Sequence, residues 1–115
     1  MKLLVFGILL QILCISVSAQ FYNGHAMLPK MREFQKMTRG ESNASQIEAA
    51  EFAGYVLAVF DALSAGDNLI CSHSGVTQLQ VTMIAINYIN AHPKRWNEPA
   101  CYIITAAFLE AFECK

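Results

Sequence analysis

The chain has 115 residues, a formal net charge of −1 and a hydrophobic fraction of 55%. This length allows one domain with a small core, because a chain of this size buries only roughly 60–65% of its unfolded surface. The near-neutral charge excludes the basic footprint of a nucleic-acid-binding protein and the polybasic patch of a membrane-surface protein. We therefore expect neither nucleic acid nor a lipid surface among the partners.

Residues 1–19 have the pattern of a secretory signal peptide. Lys2 supplies the positive start, residues 3–13 are almost all apolar, and small residues at 17–19 form a cleavage site. The apolar run is shorter than the roughly 20 residues of a membrane-spanning helix. We therefore predict cleavage after Ala19 and a mature domain of residues 20–115 in the periplasm, with no membrane attachment. A retained N-terminal anchor is the alternative.

The hydrophobic spacing predicts four helices and no strand. The first helix spans about residues 26–38, where methionine and phenylalanine recur at helical spacing. Pro29 fits only into its first turn, where the missing N–H group is not needed. Gly40 is predicted to end this helix.

The second helix is predicted over about residues 45–63. It starts with a capping box, in which the side chains of Ser45 and Glu48 each satisfy a backbone N–H group. Apolar residues cover more than one of its faces, which predicts burial between other helices. Gly54 destabilises a helix by roughly 1 kcal/mol relative to alanine, so we interpret it as the mark of a close helix crossing.

The third and fourth helices, at about residues 77–90 and 97–112, are predicted to form a hairpin. Their similar length and the short turn between them favour antiparallel packing. The residues that delimit them are Thr77 and Gln80 as a capping box, Pro93 as a stop, Asn97 as a cap and Pro99 in the first turn of the fourth helix.

Signal cleavage removes Cys14 and leaves three cysteines. In an antiparallel hairpin, the segment before the third helix lies beside the end of the fourth, which brings Cys71 next to Cys114. Cys101 lies at the opposite end of the fourth helix, roughly 20 Å from Cys114 at 1.5 Å per residue. We predict an all-α, compact four-helix domain with one disulfide, Cys71–Cys114. Cys101 stays unpaired, as a buried small hydrophobe or as a reactive thiol.

The longest irregular segment, residues 64–75, is rich in small polar side chains. It is open to three interpretations: a Ser/His/Asp catalytic site, a loop that binds a partner, or a solvated connector. Nucleophilic catalysis needs a base held within about 3 Å of the nucleophile by a third group, and no scaffold or oxyanion hole is evident. We therefore predict that the protein is not an enzyme. The candidate partner-binding residues of this loop are Asp67, Asn68, Ser72, His73 and Ser74.

A second candidate binding surface is the turn at residues 92–97. It contains Arg95 and Trp96, and arginine and tryptophan are enriched at the hot spots of protein interfaces. Trp96 can serve either as a lid over the hairpin or as an exposed anchor for a partner.

No metal or cofactor site is predicted. His25, His73 and His92 lie on different predicted elements and are far apart in sequence. The mature chain has neither the Cys-x-x-Cys nor the His-x-x-x-His spacing of a zinc site.

Short motifs follow one another in a fixed order along residues 21–114. They are Asn23-Gly24, Gly54-Tyr55-Val56 with Asp61-Ala62, Cys71 before Gly75-Val76-Thr77 and Gln80, His92-Pro93 with Arg95, and Ala111-Phe112-Glu113-Cys114. In order and spacing the chain resembles the Rap/Tai family of type VI secretion immunity proteins. That family usually has a second cysteine pair at the positions of Met31 and Phe52. We expect a buried methionine–aromatic contact there instead.

The resemblance implies a periplasmic helical protein that binds and inhibits a peptidoglycan amidase delivered by neighbouring bacteria. It also implies that the protein covers the active-site cleft of the amidase. Because the loop at residues 64–75 is anchored at Cys71 and rich in small polar groups, we expect this loop to enter or rim the cleft, with the turn at residues 92–97 as the second choice. A homodimer is compatible with the resemblance. The alternative function is that of a periplasmic stress chaperone or another helical binding protein, recognised by broad binding of unfolded clients at acid pH.

Overall fold

Helices make up most of the computed structural model, which describes residues 21–66 and 68–115. The α-helices are α1 (Gly24–Thr38), α2 (Gln46–Ala65), α3 (Gln78–Ala91) and α4 (Ala100–Ala111), with a 3-10 turn at Pro93–Arg95. The described residues form no β-strand and only an isolated bridge between Asn23 and Pro99. The predicted all-α, four-helix class is confirmed. The predicted signal peptide and its cleavage site lie outside the described residues.

Helix α1 begins at Gly24 rather than at Ala26, because Asn23 caps it. The side-chain oxygen of Asn23 accepts a hydrogen bond from the N–H of Ala26 at 2.9 Å. This start places Pro29 inside the helix, so the prediction that Pro29 lies in the first turn is wrong. The proline is exposed, and water can therefore satisfy the carbonyl that loses its helical partner.

The end of α1 is closed by Gly40, as predicted. Gly40 has a φ of +75°, in the left-handed region that favours glycine. The N–H groups of Gly40 and Glu41 donate to the carbonyls of Met37 and Lys36, both at 3.0 Å. These two bonds satisfy carbonyls that the helix itself leaves without partners.

The start of α2 is held by a neighbouring helix in addition to its own cap. The Ser45 side chain accepts a bond from the N–H of Glu48 at 3.4 Å, as predicted. The reciprocal bond predicted from Glu48 is not formed, because the N–H of Ser45 donates to a carboxylate oxygen of Glu33 on α1 at 2.7 Å. Lys36 donates to the other oxygen of Glu33, also at 2.7 Å. The capping box is thus completed between helices rather than within α2.

Helix α2 lies between other helices, as predicted, because it contacts α1, α3 and α4 and its half-buried Leu57, Phe60 and Leu63 pack against the core. Its buried residues are Ala49, Phe52 and Val56. The outer face is exposed and carries Ile47, Ala50, Gly54, Ala58, Ala62 and Ala65. No atom lies within 4 Å of the position that a Cβ at Gly54 would occupy. The predicted close helix crossing at Gly54 is therefore wrong.

The start of α3 follows the sequence prediction closely. The Thr77 hydroxyl accepts a bond from the N–H of Gln80 at 3.1 Å, and the Gln80 side chain accepts one from the N–H of Thr77 at 2.8 Å. Both halves of the capping box are present, because both partners belong to the same turn of helix.

The start of α4 differs from the prediction. Pro99 precedes the helix instead of lying in its first turn, and the predicted side-chain cap by Asn97 is not formed. The N–H of Ala100 donates to the carbonyl of Tyr22 at 3.0 Å. Backbone from the N-terminal segment therefore satisfies the start of α4.

The disulfide Cys71–Cys114 is present and confirms the predicted hairpin topology. Beside it, the N–H of Cys71 donates to the carbonyl of Phe112 at 2.8 Å. Cys101 is a free cysteine, as predicted, and is half-buried. It lies against Tyr55, where burial and then the neighbouring thiol raise the pKa of the phenol.

The core lies between the α1–α2 pair and the α3–α4 hairpin. Its most buried large side chains are Met27, Phe52, Val56, Ile86, Ile89, Ile103, Ile104 and Phe108. Met31 and Phe52 are 2% and 0% exposed, so the burial expected at these two positions is confirmed. The Phe52 ring also contacts that of Phe34 at a centroid distance of 6.0 Å. Apolar packing therefore joins α1 to α2.

Candidate functional site

The segment between α2 and α3 is fixed to the rest of the fold through Ile70 and Cys71. The Ile70 side chain is only 6% exposed and belongs to the core. Cys71 is held by its disulfide and by the backbone bond to Phe112. Asn68 adopts a φ of +56°, a conformation that asparagine tolerates better than most residues. The loop is thus anchored near its middle, and Ile70 is an anchor that the sequence pattern did not predict.

The predicted partner-binding side chains of this loop face outward. Asn68, Ser72, His73 and Ser74 are all exposed. Within the described parts of the chain, none of their side chains makes a hydrogen bond to another residue. Asp67, the remaining residue of this predicted set, lies outside the described residues. The exposed polar groups are therefore available to a partner.

His73 and Ser74 line one end of a groove between α3 and α4, which we call the hairpin groove. Its volume is about 460 Å³, and its walls include Val76, Met83, Ile84 and Phe112. A smaller depression of about 350 Å³ continues along the same seam towards His92 and Glu110. The two share Ile84, Asn87 and Ala111.

The groove residues on α3 and α4 were not predicted as a site. The sequence signal for the groove was Met83 and Ile84, two apolar residues on α3 that lie outside the face of this helix buried in the core. Such residues can belong either to a broad core or to an exposed groove, because periodicity reports only the face on which they lie.

Arg95, in the second predicted surface, is already engaged by neighbouring side chains. Its guanidinium donates to both carboxylate oxygens of Glu98, at 3.0 and 2.7 Å, and to the Tyr88 hydroxyl at 2.8 Å. The Tyr88 ring stacks on His92 at a centroid distance of 3.9 Å. The hydrogen bonds with Glu98 raise the pKa of Arg95, and those from Arg95 lower the pKa of Glu98. A partner would have to compete with these bonds.

Trp96 covers the junction between α1 and the hairpin. Its indole N–H donates to the carbonyl of Ile89 at 2.8 Å, and its ring meets that of His25 edge to face. The side chain is half-buried and packs against the core. This geometry fits a lid, and the role of Trp96 in binding a partner stays a prediction.

The two predicted surfaces do not come together. The loop precedes the start of α3 and the turn follows its end, so they are separated by roughly 20 Å at 1.5 Å per residue. Only the loop adjoins the hairpin groove proper. The loop and the turn therefore lie at opposite ends of α3.

A family model, that of the Rap1a immunity proteins, matches residues 19–114. The chain belongs to the Rap1a immunity protein family. The match includes the loop, the hairpin groove and the turn, and it confirms the resemblance to immunity proteins at the level of the family. No curated protein and no solved structure matches the chain.

The described residues of this Rap1a immunity protein contain no cluster of three or more His, Cys, Asp or Glu side chains arranged to hold a metal ion. None of the described helices combines the length and apolar character needed to cross a membrane.

Away from these surfaces, a carboxylate joins the N-terminal segment, α1 and α2. Glu51 accepts hydrogen bonds from Lys30, at 2.7 Å, and from the Tyr22 hydroxyl. The bonds from Lys30 and then Tyr22 lower the pKa of Glu51. In the same way Lys36 and the N–H of Ser45 lower the pKa of Glu33.

We expect this Rap1a immunity protein to lose stability in acid. The pKa values of Glu33, Glu51 and Glu98 are below the ordinary value of 4.5 in the folded state. Their stabilising effect is therefore present above pH 4.5 and is lost as the pH falls towards the folded-state pKa values. The free energy of unfolding in urea, measured from pH 7 to pH 3, should decrease.

The test variant is Glu51→Gln, and its matched control is Glu113→Gln. Glu113 is an exposed carboxylate that forms no ion pair in the described chain. Glu51→Gln should reduce the decrease in the free energy of unfolding between pH 7 and pH 3, whereas Glu113→Gln should leave this decrease unchanged. Equal pH profiles for the wild type and Glu51→Gln would contradict the prediction.

Proposed function

We propose that the protein is a periplasmic immunity protein that binds a peptidoglycan amidase effector of a type VI secretion system and blocks its active site. The observation that carries the immunity function is the family match over residues 19–114. The expected signal peptide supports a periplasmic location, where peptidoglycan is accessible to an amidase. Membership in an immunity family also supports the prediction that the protein acts by binding and not by catalysis.

The loop at residues 68–75 is our proposed inhibitory element. It is exposed and polar, and its disulfide and buried Ile70 restrict it before any partner binds. A restricted loop loses less conformational entropy on binding, which favours affinity. The turn is the less favoured surface, because Arg95 and the indole N–H of Trp96 already have partners within the fold.

Alanine substitutions in the loop should weaken binding in graded steps. Ser72→Ala and His73→Ala are each expected to weaken affinity by about 1–2 kcal/mol, or roughly 5–30-fold. Ser42→Ala is the matched control, since Ser42 is also an exposed serine but lies between α1 and α2. The probe is a type VI amidase that lyses cells when expressed in the periplasm and is neutralised by the wild type. Survival and calorimetric affinity are the measurements.

Three results would change the proposal. If the wild type protects against no such amidase, the amidase assignment fails. If Arg95→Ala loses protection with an unchanged free energy of unfolding, while Ser72→Ala and His73→Ala retain protection, the turn replaces the loop as the inhibitory element. Broad suppression of client aggregation at acid pH, without protection, would favour the chaperone alternative. The homodimer stays a prediction that sedimentation of the mature protein measures.

A further inference from the structure

We propose that the hairpin groove binds an uncharged, apolar side chain carried on a loop of the effector. This inference rests on the proposed function and adds a second contact beside the inhibitory loop. The groove would thus fix the position of the effector while the loop covers its active site.

The size and walls of the groove suit a side chain better than a whole helix. A volume of about 460 Å³ is at the lower end of the usual range for binding pockets, and it fits one or two large side chains. Phe112 is buried and gives the groove a fixed floor. Met83 is only partly buried, and its unbranched thioether can adapt to the shape of a bound group.

The groove lining favours an uncharged occupant. No Asp, Glu, Lys or Arg lines the 460 Å³ groove. A charged group would therefore lose water there without gaining a permanently charged partner, which is unfavourable. The available polar groups are the side chains of His73, Ser74, Gln80 and Asn87.

These polar groups suit the backbone of a peptide. The Gln80 oxygen already accepts a bond from the N–H of Thr77 at 2.8 Å, which leaves its NH₂ group free to donate. Asn87 is exposed and can both donate and accept. Two carboxamides beside an apolar wall can therefore pair with the N–H and C=O groups on either side of an apolar residue.

The groove is continuous with the proposed inhibitory loop. His73 and Ser74 belong to the loop and also line the groove. Gly75, with a φ of +97°, turns the chain between the loop and α3. An effector that contacts the loop would reach the groove without a gap, so a neighbouring surface loop of that effector is the occupant that the geometry favours.

The first test uses a small peptide mimic and does not require the effector. N-acetyl-leucine amide is titrated into the mature protein, and methyl resonances of Met83 and Ile84 are followed by NMR. We expect saturable shifts with a Kd of about 1–10 mM, as suits a ligand of this size. N-acetyl-glutamate amide should cause no such shifts.

Variants that fill the groove provide the control for this titration. Ala111→Trp and Asn87→Trp change two exposed lining residues, one from each helix, and should abolish the shifts. Ala58→Trp adds the same side chain on the exposed outer face of α2 and should leave them intact. Absence of shifts in the wild type, or equal shifts with the glutamate derivative or in both groove variants, would overturn the proposal.

The second test uses the amidase that the wild type neutralises. Ala111→Trp should weaken its binding at least about tenfold, which corresponds to loss of one well-buried anchor. Ala58→Trp should stay within about twofold of wild type. If the wild type binds but Ala111→Trp binds equally well, the groove proposal fails and the immunity function stands. If the wild type binds no amidase, the proposed function fails, and the peptide titration alone decides whether the groove is a binding site.

Discussion

Replacing Cys71 and Cys114 together by serine is expected to lower the free energy of unfolding by on the order of 4 kcal/mol. The disulfide links residues 43 positions apart, so its removal frees a long loop in the unfolded chain. A small domain typically has only about 5–15 kcal/mol of stability in total. The variant should therefore unfold at a much lower urea concentration.

The matched control is Cys101→Ala, which changes the free, half-buried cysteine of the described chain. It should lower the free energy of unfolding far less than the double serine variant does, because it removes one thiol and no covalent link. The wild type measured with and without a reducing agent gives the same comparison without mutation. A loss of less than about 1 kcal/mol in the double variant would show that the disulfide contributes little to the stability of this fold.

Gly24→Ala is expected to destabilise the protein by about 1–3 kcal/mol, the usual effect of forcing extra volume into a packed site. A Cβ at this position would lie 2.6 Å from the Cα of Trp96 and 2.8 Å from its carbonyl oxygen. It would also lie 2.8 Å from a methyl group of Ile103. Backbone cannot move aside as a flexible side chain can, so the crossing between α1 and the turn must open.

Gly54→Ala is the matched control for Gly24→Ala, and it is expected to raise the stability of the protein where Gly24→Ala lowers it. Gly54 is exposed inside α2 with no atom near the position of a Cβ, so alanine should stabilise the helix by about 0.5–1 kcal/mol. For a domain of this size each kcal/mol shifts Tm by roughly 4–8 °C. Thermal unfolding of the wild type and of both variants gives the two shifts in Tm. A destabilised Gly54→Ala would show that the outer face of α2 is covered in the folded protein.

The crossing at Gly24 also affects how Trp96 must be tested. The backbone of Trp96 packs on Gly24, and its carbonyl accepts the N–H of His25 at 2.9 Å. A Trp96→Ala variant therefore alters the fold as well as any binding surface. Protection assays with this variant are informative only beside a measurement of its stability.

Local signals in the sequence predicted the parts of the fold that depend on neighbouring residues. Thr77 and Gln80 cap α3 because they are three positions apart, and Gly40 closes α1 because a left-handed residue is needed there. The cysteine pairing followed from two helices of similar length joined by a short turn. The polar loop was identified because it lacked helical periodicity.

Only the tertiary structure decided which groups reach a site from another element. Glu33 accepts the hydrogen bond from the N–H of Ser45, although Glu48 is the nearer candidate in sequence. The carbonyl of Tyr22 accepts the hydrogen bond from the N–H of Ala100, although Asn97 is the nearer candidate. The hairpin groove likewise depends on how α3 and α4 pack. Capping within one turn is fixed by residue spacing, and spacing can be read along the chain. Contacts between elements depend on packing angles and depths, which hydrophobic periodicity does not specify.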